Sequence, residues 1–169
     1  MRPEPSEHRP YFDTYISKVP GDRVVPVLMQ QLEPLIERFG SLSEEQASFR
    51  YAPDKWSVRE VIGHLIDTER VFGYRALWIA RGETTPLPSF EQDDFVRTAG
   101  HDTVPIVELV DEFCALRESH LLMFNHLARE AWTRVGTASG HPLSTRAAAF
   151  IMAGHVIHHL ALLQERYGV

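Results

Sequence analysis

A chain of 169 residues can close one hydrophobic core without disulfides or structural metals, and 44% hydrophobic with 24% charged residues is the content of a soluble globular protein. The net charge of −6, from 23 acidic and 17 basic residues, comes without a lysine or arginine run that could track a phosphate backbone, so nucleic acid is not an expected partner. The single cysteine, Cys114, excludes a disulfide framework and a CxxC metal or redox motif; within its apolar helical pattern it reads as a small hydrophobe in a reducing compartment.

Met1 to Pro10 is rich in proline and charge and lacks the apolar stretch of a signal sequence. No later segment reads as the run of about 20 apolar residues that a membrane span needs, so a cytoplasmic protein with one domain over residues 1–169 is expected. Tyr11, Phe12, Tyr15 and Ile16 are too apolar for a free tail, and the arm over residues 1–21 is expected to pack on the rest of the chain or on a partner subunit. A first helix is predicted from after Asp22 through Val25, Leu28, Leu32, Leu35 and Ile36 to Gly40, with Pro26 in its first turn and a bend at Pro34.

The second helix has the clearest start. Ser57 can cap it while Glu60 returns a bond to the Ser57 amide, and Trp56 can pack on Val61 across the cap. It runs through Leu65, Val71, Phe72, Leu77 and Trp78 to Arg81 and Gly82. The following segment, Gly82 to Asp102, is about twenty residues long with Pro86, Pro88 and Gly100, more than a bundle turn needs, and it reads as a crossover that makes the second and third helices parallel. The third helix is predicted to open at Thr103 and continue past Phe113, Phe124 and Leu127, and the fourth to run from near Ser144 through Phe150 and Ile151 to Tyr167 and Gly168. Nothing between them reads as a strand ladder, so the class is all-α, a four-helix bundle.

Of nine histidines, His155 and His159 stand four apart and share one helical face with Ile151, Met152, Leu162 and Leu163. His64, with Val61, Leu65, Thr68 and Val71 about it, has the same kind of setting. A lone histidine of this kind is usually satisfied by a backbone carbonyl, but three turned into one core, each with an unpaired ring nitrogen at about 1–3 kcal/mol, are costly unless they share a cation. HxxxH lacks the glutamate of a zincin protease, and the absence of Glu-x-x-His argues against a di-iron carboxylate bundle.

Lys55 to Arg70, with Gly63-His64-Leu65 inside it, and Gly154 to Leu160, with Gly154-His155 and His159, together resemble the DinB/YfiT-like family, whose members are read as metalloenzymes. The likeness spans nearly the whole chain. It implies a four-helix bundle of up-down-down-up order with a long link between the middle helices, a divalent metal on His64, His155 and His159, and a homodimer. Better-understood relatives transfer low-molecular-weight thiols such as bacillithiol or use mycothiol in an isomerase, and many have no assigned reaction.

Three neutral ligands leave open coordination positions, where zinc or nickel could activate a water or a small thiol against a small-molecule substrate, as a transferase or hydrolase does. The alternative is a bundle whose metal site performs no turnover. Asp67, one turn after His64, could orient an imidazole or take a proton, or be an exposed carboxylate. Arg117 and His120 share a stripe with Phe113, Phe124 and Leu127 and are candidates to bind an anionic substrate or thiol, although snorkelling to the surface is the simpler fate of Arg117. Trp56 is a packing residue that could border the pocket, His158 lies beside the site or at the surface, and His8, His101, His126 and His141 read as loop or solvated residues.

Overall fold

The computed structural model describes residues 1–169. Its helices are α1 (Asp13–Ile16), α2 (Val24–Gln30), α3 (Leu32–Phe39), α4 (Glu44–Ser48), α5 (Val58–Ala80), α6 (Gln92–Ala99), α7 (Ile106–Asn125) and α8 (Thr145–Leu162), with a two-stranded ribbon, β1 (Val135–Ala138) and β2 (His141–Ser144), between the last two. The long helices α5, α7 and α8 pack together with α5 in contact with both others, and the α2–α3 pair lies along α7 to complete the bundle. The protein is mainly helical, and its fold is that of a four-helix bundle.

The start of α5 is set locally. Ser57 Oγ accepts from the Glu60 amide at 3.1 Å and Glu60 Oε2 accepts from the Ser57 amide at 2.8 Å, closing the capping box. The predicted first helix is two helices, broken at Gln31 rather than bent at Pro34. The physical reason is one turn upstream of the ring: Pro34 has no N–H for the Gln30 carbonyl and clashes with it, so the break falls there. The third helix opens at Ile106, not Thr103, because Pro105, with ψ at 136°, is a non-helical N-cap and residues His101–Thr103 form a separate turn. The link before it is not bare loop either, since it contains α6 and pins Leu87 to the ribbon through its amide to the Thr137 carbonyl at 2.9 Å.

The ribbon corrects the expectation of no strands. Its register pairs Val135 with Ser144 and Ala138 with His141, closed by Ser139 (φ 54°) and Gly140 (φ 77°), a two-residue turn that needs the left-handed region at both positions. Ser-Gly was the visible signal, but four-residue strands alternate over too short a span to register as a period. The last helix also differs from expectation. From Thr145 to Tyr167 it is long and apolar enough to cross a membrane by length and composition, yet 67% of its 18-residue apolar stretch is buried inside the bundle.

The core falls into two apolar clusters. One holds Phe72, Ala76, Ile79, Phe124, the alanines 147–149 and 153, and Phe150, Ile151 and Met152 between them; the other holds Leu35, Phe39, Val58, Val61, Ile62, Leu65, Ile66, Ile106, Leu109, Val110, Phe113, Val156 and Leu163. Along α8 the change from one to the other comes between Ala153 and Val156, where His155 stands. Along α5 and α7 it comes between Ile66 and Phe72 and between Phe113 and Leu121, where Glu69 and Arg117 stand. A polar layer thus crosses the bundle at one level.

The N-terminal arm is fastened across α8. Glu7 accepts from Ser144 Oγ at 2.7 Å and from the Arg146 guanidinium, whose Nε lies at 2.8 Å, and Arg2 caps the carbonyls of Ile16, Val19 and Gly21. α1 crosses α8 at Gly154, where an added Cβ would overlap the backbone carbonyl of Tyr15. The overlap is with backbone, not a flexible side chain, so Gly154→Ala is expected to destabilise the protein by about 1–3 kcal/mol and to loosen the arm. Urea unfolding together with limited proteolysis of residues 1–21 measures both; an unchanged cleavage rate would contradict the close crossing.

Candidate metal centre

His64 sits in the second turn of α5, brought inward by the Ser57 cap that sets the helix phase, and His155 and His159 lie one turn apart on α8. The three rings are 2%, 5% and 8% exposed. Their Nε2 atoms converge: His155 Nε2 lies 3.0 Å from His64 Nε2 and 3.1 Å from His159 Nε2, and the three ligand atoms all fall within 4.8 Å of one another. One nitrogen facing two others cannot be satisfied by protons alone, because each Nε2 carries either one hydrogen or one lone pair.

Burial, then the neighbouring imidazoles, keeps the rings neutral. The His64 pKa is pushed down to about 4 by desolvation and then by His158, that of His159 to about 3 by desolvation and then by His64 and His158, and that of His155 well below the usual range, first by burial. Neutral imidazole is the form that ligates a metal. Two imidazoles sharing a tetrahedral zinc at about 2.05 Å stand roughly 3.3 Å apart, close to the two separations found here. The donor set therefore fits a divalent ion of the borderline class, which takes nitrogen ligands. His64 Nδ1 and His159 Nδ1 are buried without a protein partner, so no side chain of this chain fixes their tautomers.

The same values carry a pH expectation for the metal-free protein. Folded-state pKa values of about 4 and about 3, below the unfolded imidazole's 6.5, mean that the unfolded chain takes up protons which the folded chain refuses. Stability is full above pH 6.5 and falls as the pH drops towards 4 and 3, by roughly 1.4 kcal/mol per group per unit. Urea midpoints of chelator-treated protein between pH 7.5 and 4.5 read this directly, and a flat profile would mean that the triad is not held neutral.

Aromatic rings wall the triad. Trp56, the residue before the α5 cap, packs on His64 with centroids 4.8 Å apart, so it borders the site, and its carbonyl accepts from Tyr167 Oη at 2.7 Å. Tyr15 of the arm stands edge-on to His155 at 5.2 Å and to His158 at 5.5 Å, a contact that no periodicity announced. His158 is half-buried beside His159, with ring centroids 5.0 Å apart.

The other candidates fare differently. Asp67 is half-buried, 4.0 Å from Arg70, and makes no hydrogen bond to His64; burial raises its carboxyl pKa against the pull of His101 and Arg70. Its imidazole-orienting role is therefore not realised in this geometry. Arg117 does not snorkel, and it offers no free charge to an anion. It is 0% exposed, its Nε and Nη2 donate to Glu69 at 2.7 and 2.9 Å, and its Nη1 donates to the Leu28 carbonyl at 3.1 Å and Gln31 Oε1 at 2.7 Å. The break at Gln31 is what leaves the Leu28 carbonyl near a helix end for it to cap.

His120 joins the same group, its Nδ1 3.0 Å from Glu69 Oε1 and its ring filling the space over Gly73. Burial raises the Glu69 carboxyl, but the Arg117 charge and the hydrogen bonds outweigh it and bring its pKa to about 2. Gln31 Nε2 then donates to the Ala153 carbonyl at 2.8 Å, two residues before His155. His126 and His141 are exposed as expected, whereas His8 is buried in the arm and His101 is half-buried against Gly63 with its Nδ1 unpartnered. Cys114 is half-buried, its thiol pushed up by burial and then by Glu118 and Asp111, which leaves it a poor nucleophile.

Comparison with known proteins places this geometry in a family. The DinB superfamily model matches residues 28–163, a span that contains all three histidines. The chain belongs to the DinB superfamily. Among solved structures the bundle is similar to YfiT from Bacillus subtilis, described as a probable metal-dependent hydrolase with an unusual four-helix bundle topology, at TM-score 0.72 and 18% identity over 99% of this chain and 94% of that one. It is also similar to a mycothiol-dependent maleylpyruvate isomerase at TM-score 0.69 and 13% identity, over 86% of this chain and 61% of that one. At such identities the likeness is one of fold. No curated protein matches the sequence.

Proposed function

We propose that this DinB superfamily protein is a metal-dependent enzyme that activates a low-molecular-weight thiol or a water against a small electrophilic substrate, as a thiol S-transferase or a hydrolase. The observation that carries the reading is the meeting of three buried, neutral Nε2 atoms at 3.0 and 3.1 Å with no carboxylate or cysteine closing the set. His64, His155 and His159 hold the ion, zinc or nickel. A divalent ion so held supplies a Lewis acid that acidifies a water or thiol towards neutral pH.

The chain's own groups do the rest. Glu69, Arg117 and Gln31 hold α5, α7 and the His155 segment of α8 at one spacing, and Trp56 and Tyr15 exclude bulk water from two of the rings. Asp67 is the nearest half-buried carboxylate in sequence and the first candidate to take a proton, although it does not touch the triad's hydrogen bonds. The likeness to a described metal-dependent hydrolase and to a mycothiol-dependent isomerase supports both halves of the proposal. The same reading includes the up-down-down-up order, supported by Glu69–Arg117 and Gly73–His120, pairs whose numbers rise together as in parallel helices, and it includes a cytoplasmic homodimer.

A second reading, a metal module without turnover, is favoured by the deep burial of the triad and by the fact that neither the 870 Å³ pocket nor the 370 Å³ pocket includes any of its residues. Zinc- and nickel-loaded protein assayed with several small thiols against alkylating electrophiles, and against an ester and amide panel, separates the two. Metal-dependent turnover that is lost in His155→Ala supports the enzyme; stoichiometric metal with no turnover leaves the module.

A further inference from the structure

A cavity separate from the triad lies where α2 begins, α7 ends and α8 begins. Its volume is about 870 Å³, within the range of sites that enclose small organic ligands. Phe150 on its wall precedes His155 by five residues, about 7.5 Å of helix rise, and no triad residue lines it. The wall is aromatic and apolar at its base. Phe124 and Phe150 are buried, Trp132 stacks on Phe124 with centroids 5.4 Å apart, and Met29 and Leu127 flank them.

The charge on this cavity reverses that of the protein. In a chain of net charge −6, three arginines and a single glutamate, Glu130, line it. Arg146 is committed to Glu7, which fixes its place and compensates its charge. Arg23 and Arg129 are exposed and form no ion pair. Two unpaired guanidiniums at the mouth of an aromatic and aliphatic cavity match a molecule with one anionic head and an apolar body.

We propose that this cavity is a second ligand site, for an aliphatic or aryl monocarboxylate, with Arg23 and Arg129 holding the carboxylate and Phe124, Trp132 and Phe150 the apolar part. The site is separate from the histidine triad. Its occupancy does not depend on the metal reading.

Calorimetric titration of the full-length protein with decanoate, decanol and decyltrimethylammonium tests it. Decanoate is expected to saturate one site below about 1 mM, with the alcohol and the cation weaker by about tenfold or more, the loss expected for a missing charge-assisted hydrogen bond. The double variant R23E/R129E, changed only at exposed positions, is expected to lose about tenfold in decanoate affinity with an unaltered thermal midpoint, while His155→Ala binds as the wild type does. Equal binding of all three probes, binding unchanged by charge reversal, no saturation by decanoate, or binding of anionic vesicles without free decanoate would each overturn the proposal.

Discussion

Replacing His155 by alanine is expected to release the metal. In the wild type its Nε2 is the one within 3.1 Å of both other ring nitrogens, so its loss leaves two donors on opposite helices with no third to complete the set. Loss of partners that merely orient a ligand costs 10–100-fold in affinity, so loss of a ligand costs at least about a hundredfold. At a metal concentration one hundred times the wild-type Kd, binding stabilises the wild type by about 2.7 kcal/mol; a hundredfold weaker variant retains about 0.4 kcal/mol. Elemental analysis of purified His155→Ala and His64→Ala gives the stoichiometry, and thermal unfolding with and without zinc gives the shift. Stoichiometric metal in both variants would remove the triad from consideration.

The metal-free His155→Ala protein is expected to fold. The substitution takes away a buried imidazole whose protonation the fold already opposes, so its stability should depend less on pH below 6.5 than that of the wild type. That difference separates a lost ligand from a lost fold.

Arg117→Met is expected to be among the most damaging single substitutions in the molecule. It strands the Glu69 carboxylate, 1% exposed, together with the Leu28 carbonyl and Gln31 Oε1, and breaking a buried pair from one side costs about 3–5 kcal/mol in proteins stable by about 5–15. Removing both charges, as Arg117→Met with Glu69→Leu, is expected to restore much of the loss, since apolar side chains of similar volume often replace a buried pair without net cost. Urea unfolding at constant m-value measures both; equal destabilisation by the single and double variants would refute the argument from the stranded charge.

The pH dependence gives the sign. In the wild type, the Glu69 pKa of about 2, against an ordinary 4.5, contributes stability that is present above pH 4.5 and is lost as the pH falls towards 2. In Arg117→Met the carboxyl keeps only the His120 contact against its burial, which favours the protonated form, so its pKa rises and acid relieves the variant while it weakens the wild type. The gap between them should be widest at neutral pH and narrow steadily below it.

What could be read from residues alone was what depends on neighbours in sequence. Ser57 and Glu60 are three apart, and the capping box they form needs nothing from elsewhere. His155 and His159 are four apart, so any α-helix places them on one face, and the apolar company of His64 turned it inward. Glycine-histidine pairs on two segments carried the family resemblance. Pro34 announced an interruption, although its steric effect acts one turn earlier than its own position.

What escaped that reading depends on partners far along the chain. A buried arginine and a solvated one have the same sequence neighbours, and only the meeting of Glu69, Leu28 and Gln31 around Arg117 decided between them. The Tyr15 contact with His155 rests on a glycine at 154 that lets one backbone cross another, a fit that periodicity does not encode. Local chemistry along this chain determined where its helices begin and which imidazoles face inward. Tertiary packing alone decided that three of those imidazoles share one point, because the distance between His64 and His155 is set by helix–helix packing across a sequence separation of 91.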